Sequence, residues 1–257
     1  MPDLAYQIER LQVRRGNDSL LDCRQLQIPA HRITAITAAH APEHSLLLQA
    51  LAGAHGRQQG RLFGQPLPQE GRPDARIAGL APAATNPRQR LRDYVLRGRL
   101  SASRWLLRPS ALDRDTTTLA LRLVALEAQA GQRLASLSAS EQQLARIARS
   151  LAQPAPLLLL DQWTAHLSTQ QQLLLMQRLA RLAPTGRTIV CTLPEHSPAA
   201  SHAQWLILLA GGRLLAQGSP AQLQPAASRH QPHHAAPCTN PPGSQHPAAA
   251  LTPRLAA

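Results

Sequence analysis

Four consecutive leucines, Leu157 to Leu160, run between Pro156 and Asp161. A short run without polar alternation, bounded by prolines, predicts a strand buried on both faces, as in a parallel sheet. A second such run covers 188–193. Helical patterns flank the leucines. In 141–152, Leu144, Ile147, Ala148, Leu151 and Ala152 share one face at i, i+3, i+4, i+7 and i+8. In 170–183, Leu173, Met176, Leu179 and Ala180 do the same. Helix and strand in alternation predict an α/β fold with a largely parallel sheet.

The remainder fits around that frame. Residues 4–14 and 20–28 read as strands joined by a turn at 15–18, and 32–37 is a short β-branched run. Residues 45–52 read as a helix stopped by Gly53, and 61–69 as a short strand and turn. The stretch 73–135 reads as mostly helical, broken at Pro82, Pro87 and Pro109. Gly211-Gly212, between 205–209 and 213–217, predicts a hairpin. From 223 to 257 the chain is Ala, Pro, His and Ser without periodicity, and is expected to be a disordered tail.

Composition narrows the function. Hydrophobic residues make up 44% and aromatics 2%, so the core must be Leu, Ala, Val and Ile. All 27 Lys+Arg residues are arginine, and the net charge is +13. The arginines are dispersed. The tightest cluster, Arg88, Arg90, Arg92, Arg97 and Arg99, has only Tyr94 among it, so nucleic acid is not the expected partner. Three distant cysteines, Cys23, Cys191 and Cys238, give neither a disulfide framework nor a metal spacing. His230, His233, His234 and His246 lack a fixed metal-ligand spacing. The first residues carry acids rather than an apolar run, and no apolar stretch of about 18 residues occurs, so a cytoplasmic location is expected.

The order of pieces in 134–222 resembles the ATP-binding subunit of ABC transporters. LASLSASEQQLARIARSLAQPAPLLLLDQWTAHLS is similar to a signature loop, its helix, the Walker B strand and the D-loop. TIVCTL resembles the strand before the switch histidine, and WLILLAGGRLLAQGSP the closing hairpin. Upstream, RITAITAAHAPEHSLLLQALAG resembles the strand, phosphate loop and helix. LRDYVLRGR resembles the entry to the helical subdomain of iron-chelate, haem and cobalamin importers. The resemblance covers 1–222. It implies a P-loop NTPase-like (RecA-like) core with a mostly parallel sheet, an antiparallel β subdomain, and a helical subdomain inserted at about 80–150. It further implies ATP and Mg as cofactors, and a place on the inner face of the membrane beside a permease. Pairing with a second ATP-binding subunit, identical or not, is part of the same expectation.

The family's phosphate loop, G-x-x-G-x-G-K-[ST]-T, falls on Ala38, Ala39, His40, Ala41, Pro42, Glu43, His44, Ser45 and Leu46. All three glycines are replaced, although glycine is what lets backbone N–H groups close around phosphate. Pro42 has no N–H to donate. Glu43 adds a negative charge, and His44 stands where the lysine belongs. Ser45, the magnesium-side hydroxyl, is kept. Asp161 matches the Walker B aspartate, and Gln162 takes the place of the catalytic glutamate. A carboxamide orients a water but accepts no proton from it. The switch histidine falls on Pro194, with His196 two residues late. The D-loop aspartate falls on Ser168, the magnesium- and permease-contacting glutamine on Pro82, and the adenine-stacking aromatic on Arg15. Of the signature loop, Ser138 and Glu141 remain.

Each retained residue also has a purely structural reading. Ser138 and Glu141 form the S-x-x-E of a capping box. Ser45 could be a helix N-cap, and Asp161 could cap the turn that follows it. The chain is therefore expected to be a pseudo-ATPase with weak or absent ATP binding and hydrolysis. A nucleotide-free scaffold and a decayed copy stand as alternatives.

Overall fold

The computed structural model describes residues 3–38, 41–54, 56–67, 74–80, 86–99, 108–194 and 197–227. The chain runs β1 (Leu4–Arg15), β2 (Asp18–Pro29), β3 (Ile33–Ala38), α1 (Ala41–Leu51), β4 (Arg57–Leu62), β5 (Gln65–Pro66) and β6 (Ile77–Gly79). It continues through α2 (Leu91–Leu96), α3 (Ala111–Leu123), α4 (Ala139–Ala152), β7 (Leu157–Leu160), α5 (Thr169–Leu182), β8 (Thr188–Thr192), β9 (Trp205–Ala210), β10 (Arg213–Gly218) and α6 (Pro220–Ala227).

The leucine run is β7, near the middle of a sheet ordered β10-β9-β3-β8-β7-β6. Its neighbours β6 and β8 are both parallel to it, with Leu158 beside Ala78 and Ile189. The pleat divides the four leucines between two cores. Leu158 and Leu160 face a layer built from α2, α3, α4 and α5, together with Ile33, Ile189 and Cys191. Leu157 and Leu159 face the opposite layer, with Ile36, Val190, α1 and the inner side of a second sheet. That second sheet is antiparallel, in the order β2-β1-β4-β5. A strand buried on both faces has no polar side to show, which is why its sequence does not alternate.

The hairpin β9–β10 turns at Gly211 (φ +57°) and Gly212 (φ +70°). Two consecutive left-handed residues match the turn that joins twisted antiparallel strands. The Gly212 carbonyl then accepts from Asp22 N at 2.9 Å, tying the hairpin to β2.

Helices α2, α3 and α4 pack on one another, and α4 also packs on β6 and β7. Capping boxes open three helices, at Ser110 with Asp113, Ser138 with Glu141, and Ser168 with Gln171. The C-terminal ends of α3 and α4 are closed by arginine. Arg187 donates to the Leu151 and Gln153 carbonyls at 2.9 and 2.8 Å, Arg99 to Ala152 O, and Arg178 to Leu123 O. Part of the positive charge thus lies against the negative ends of helix dipoles.

The structure corrects three expectations. The stretch 73–135 contains the strand β6 and long turns beside its two helices. A three-residue strand owes its form to β7 beside it rather than to its own periodicity. The expected tail from 223 begins inside α6, which runs to Ala227; its remainder lies outside the described residues. Finally, α1 starts at Ala41 rather than Ser45, so Pro42 sits in the first turn, where its missing N–H has no intrahelical partner to lose.

Candidate nucleotide site

The site lies where β3, β7 and β8 end. β3 delivers Ala38, which is 7% exposed, to the start of α1. Because α1 begins at Ala41, Ser45 stands in its second turn and is no N-cap. The Ser45 hydroxyl instead donates to Asp161 Oδ1 at 2.8 Å. Asp161, just past β7, also accepts from the Thr192 hydroxyl at 3.1 Å. Its recorded bonds therefore lead to α1 and β8 rather than to the turn after it. Thr192 in turn accepts from Gln162 N at 2.9 Å, and the Gln162 carboxamide donates to Ser45 Oγ at 3.3 Å.

Gln162 itself is held in the left-handed region, at φ +46°. Such backbone is costly for a residue with a side chain and persists where surroundings fix it. Here the fixing partner is Gln143 of α4, whose carboxamide donates to the Trp163 carbonyl at 3.0 Å and to that of Gln162 at 3.4 Å. Trp163 is fully buried. Beneath it, burial pushes the Cys191 thiol up to about 12, which leaves it an inert core group.

The expected phosphate side carries Glu43 and His44. Glu43 lies in the first turn of α1, and its Oε2 is buried without a hydrogen-bond partner among the described residues. His44 is 8% exposed, and its Nδ1 likewise has no partner. Burial lowers the His44 pKa below its ordinary value, against the opposing pull of Asp161 and Glu43. Burial thus favours the neutral form of the His44 ring, beside a carboxylate. Leu46 packs half-buried against the core. On the metal side the fit is better: a hydroxyl and a carboxylate within 2.8 Å of each other are hard oxygen donors suited to Mg.

None of the other described motif positions takes part in this set of hydrogen bonds. Ser138 Oγ accepts from Glu141 N, and the Glu141 carboxylate accepts from Ser138 N at 2.8 Å, so the pair caps α4. Ser168 caps α5 through Gln171 N. Pro194 follows β8 exposed, and Arg15 ends β1 exposed. Ala39, His40, Pro82 and His196 lie outside the described residues. Two members of the site, Thr192 and Gln143, were not singled out in the sequence. Each is a polar side chain within a buried, otherwise apolar pattern, and that was the available signal.

The ABC transporter family profile matches residues 25–165. The chain belongs to the ABC transporter family. This cassette is 33% identical over 242 residues to the hemin import ATP-binding protein HmuV of Burkholderia thailandensis, covering 84% of this chain and 88% of that protein. To HmuV of Streptomyces coelicolor it is 30% identical over 219 residues, covering 83% and 77%. To the ferric enterobactin transport ATP-binding protein FepC of Escherichia coli it is 28% identical over 221 residues, covering 84% and 82%. A nucleotide-free ATP-binding cassette of an ABC transporter superposes with TM-score 0.74 at 13% identity, covering 88% of this chain and 95% of the other. The cbiO1 subunit from Clostridium perfringens gives 0.74 at 19%, covering 88% and 94%. The fold is that of the ABC ATPase cassette, a P-loop NTPase core with an antiparallel sheet and a helical layer.

Proposed function

We propose that this cassette is the ATP-binding subunit of an iron-chelate or haem importer whose own nucleotide site has lost hydrolysis. The substrate class rests on HmuV and FepC, which their names assign to hemin and ferric enterobactin. The loss of hydrolysis rests on Gln162. Its carboxamide occupies the general-base position and donates to Ser45, and it has no proton-accepting state at neutral pH. Glu43 and neutral His44 weaken phosphate binding in the same direction. Ser45 and Asp161 are the groups that would hold Mg if nucleotide enters.

In this reading, residues 1–222 form the nucleotide-binding unit. It attaches to a membrane permease through the helical region near 80–135 and pairs with a second ATP-binding subunit. No helix among the described residues is long and apolar enough to cross a membrane. Attachment to the permease is on the cytoplasmic side in this reading. A cassette paired with an intact partner keeps one working site. The test is steady-state ATP hydrolysis by the purified chain alone and mixed with an intact cassette of the same importer. We expect none from the chain alone. A rate in the ordinary enzyme range of about 1–10³ per second, lost in Asp161→Asn, contradicts the proposal.

A further inference from the structure

We infer that the cavity at the start of β3 is a binding site for a small zwitterion bearing one carboxylate and one ammonium group, the chemistry of a free α-amino acid. The cavity lies at the opposite end of the parallel strands from the nucleotide site and is separate from the nucleotide chemistry.

Its volume is about 440 Å³, and it is lined by Asp3, His31, Arg32, Ala180, Pro184 and Gln204. Small-molecule sites run from roughly 300 to 1,000 Å³. The lining comes from the residue before β1, the turn between β2 and β3, the end of α5 with the turn after it, and the residue before β9. Hydrogen bonds fix these pieces to one another. The buried Thr188 hydroxyl accepts from His31 N at 3.0 Å, and the Gln204 carboxamide oxygen accepts from Ile33 N at 2.8 Å. Asp3 O accepts from Ala30 N at 2.7 Å, and Arg32 O from Ile189 N at 3.0 Å. His31 is held in the left-handed region, at φ +57°. A residue with a side chain keeps that conformation only where its surroundings impose it. The turn is therefore set before any ligand arrives.

All of those bonds use backbone groups of Asp3 and of the turn, so the ionisable side chains are left over. Asp3, His31 and Arg32 are exposed at the cavity. No hydrogen bond or ion pair among the described residues engages their side chains. A carboxylate and a guanidinium that line one cavity without pairing are complementary to a ligand that supplies both countercharges. The planar Arg32 fork suits a carboxylate, and Asp3 suits an ammonium. A plain anion would set like charge against Asp3. The remaining wall, Ala180 and Pro184, is apolar and suits an aliphatic side chain.

Calorimetric titration into the purified full chain tests this, without nucleotide and at low ionic strength, where screening is least. The probes are L-leucine and glycine, the bare zwitterion. We expect saturable binding of L-leucine at millimolar concentration or below. N-acetyl-leucine lacks the ammonium and leucinamide lacks the carboxylate. Each should bind at least about tenfold more weakly, as should L-leucine to Arg32→Met and to Asp3→Asn. Both substituted positions are exposed, and thermal unfolding of the variants at the wild-type temperature checks that the fold is kept. No saturable binding of either amino acid up to about 10 mM, equal affinity for L-leucine and its two derivatives, or unchanged affinity in Arg32→Met overturns the inference. Binding of N-acetyl-leucine and inorganic phosphate in preference to L-leucine overturns it as well, since the site would then take plain anions. ATP hydrolysis by the chain would end the proposed function and leave this result standing.

Discussion

The Ser45 hydroxyl and the Asp161 carboxylate, 116 residues apart in sequence, are hydrogen-bonded at 2.8 Å. Neither is a cap. Each has a protein partner, while the neighbouring Glu43 and His44 carry buried polar atoms without one among the described residues. This contrast is what the proposed loss of phosphate binding rests on.

Ser138 and Glu141 act first as a helix cap. Ser138→Ala should destabilise the chain by about 1 kcal/mol, read as a lower urea midpoint with an unchanged slope. Ser138→Asp, which can still accept from Glu141 N, should restore most of the loss. If Ser138→Ala left stability intact, the cap would contribute nothing and the residue would need another role.

Arg187 shows why lysine does not serve everywhere in this chain. It is half-buried, and its guanidinium spans two carbonyls at the end of α4, at 2.9 and 2.8 Å. Burial, and the neighbouring Arg99, lower its pKa. A single ammonium cannot reproduce the planar fork. Arg187→Lys should therefore cost about 1–3 kcal/mol in chemical denaturation. A lysine variant as stable as wild type would show that one donor suffices.

Acid should act through Asp113. It accepts from the Ser110 hydroxyl and backbone N–H at 2.7 and 3.0 Å and from Arg99 at 3.0 Å. The Ser110 bonds first, then Arg99, hold its pKa down to about 2. A folded pKa below the unfolded value gives stability that is full above about pH 4 and is lost as pH falls towards 2. Asp113→Asn should lose less stability than wild type across that interval, as followed by urea unfolding at stepped pH. Parallel curves would remove Asp113 from the acid response.

Much of the frame was legible because it is local. The unbroken leucines of β7, the S-x-x-E before α4 and the paired glycines between β9 and β10 each carry their structure in a few adjacent residues. The strand β6 was not legible, since three residues become a strand only through pairing with Leu157–Leu159. The early start of α1 was hidden by Pro42, which reads as a breaker unless the first turn is recognised. At the site, Ser45, Asp161 and Gln162 could be named from the sequence as candidates. Their closure into a circuit through Thr192 and Gln143 could not, because those contacts span 19 to 31 residues or more and depend on how the strands are ordered.

The most direct test of the account is calorimetric titration of Mg-ATP into the purified chain, carried to millimolar nucleotide. The account predicts no saturable heat, because Glu43 and a neutral His44 replace the groups that hold phosphate. Saturable binding in the micromolar range, lost in Ser45→Ala, would contradict it and show that the altered loop still closes around nucleotide.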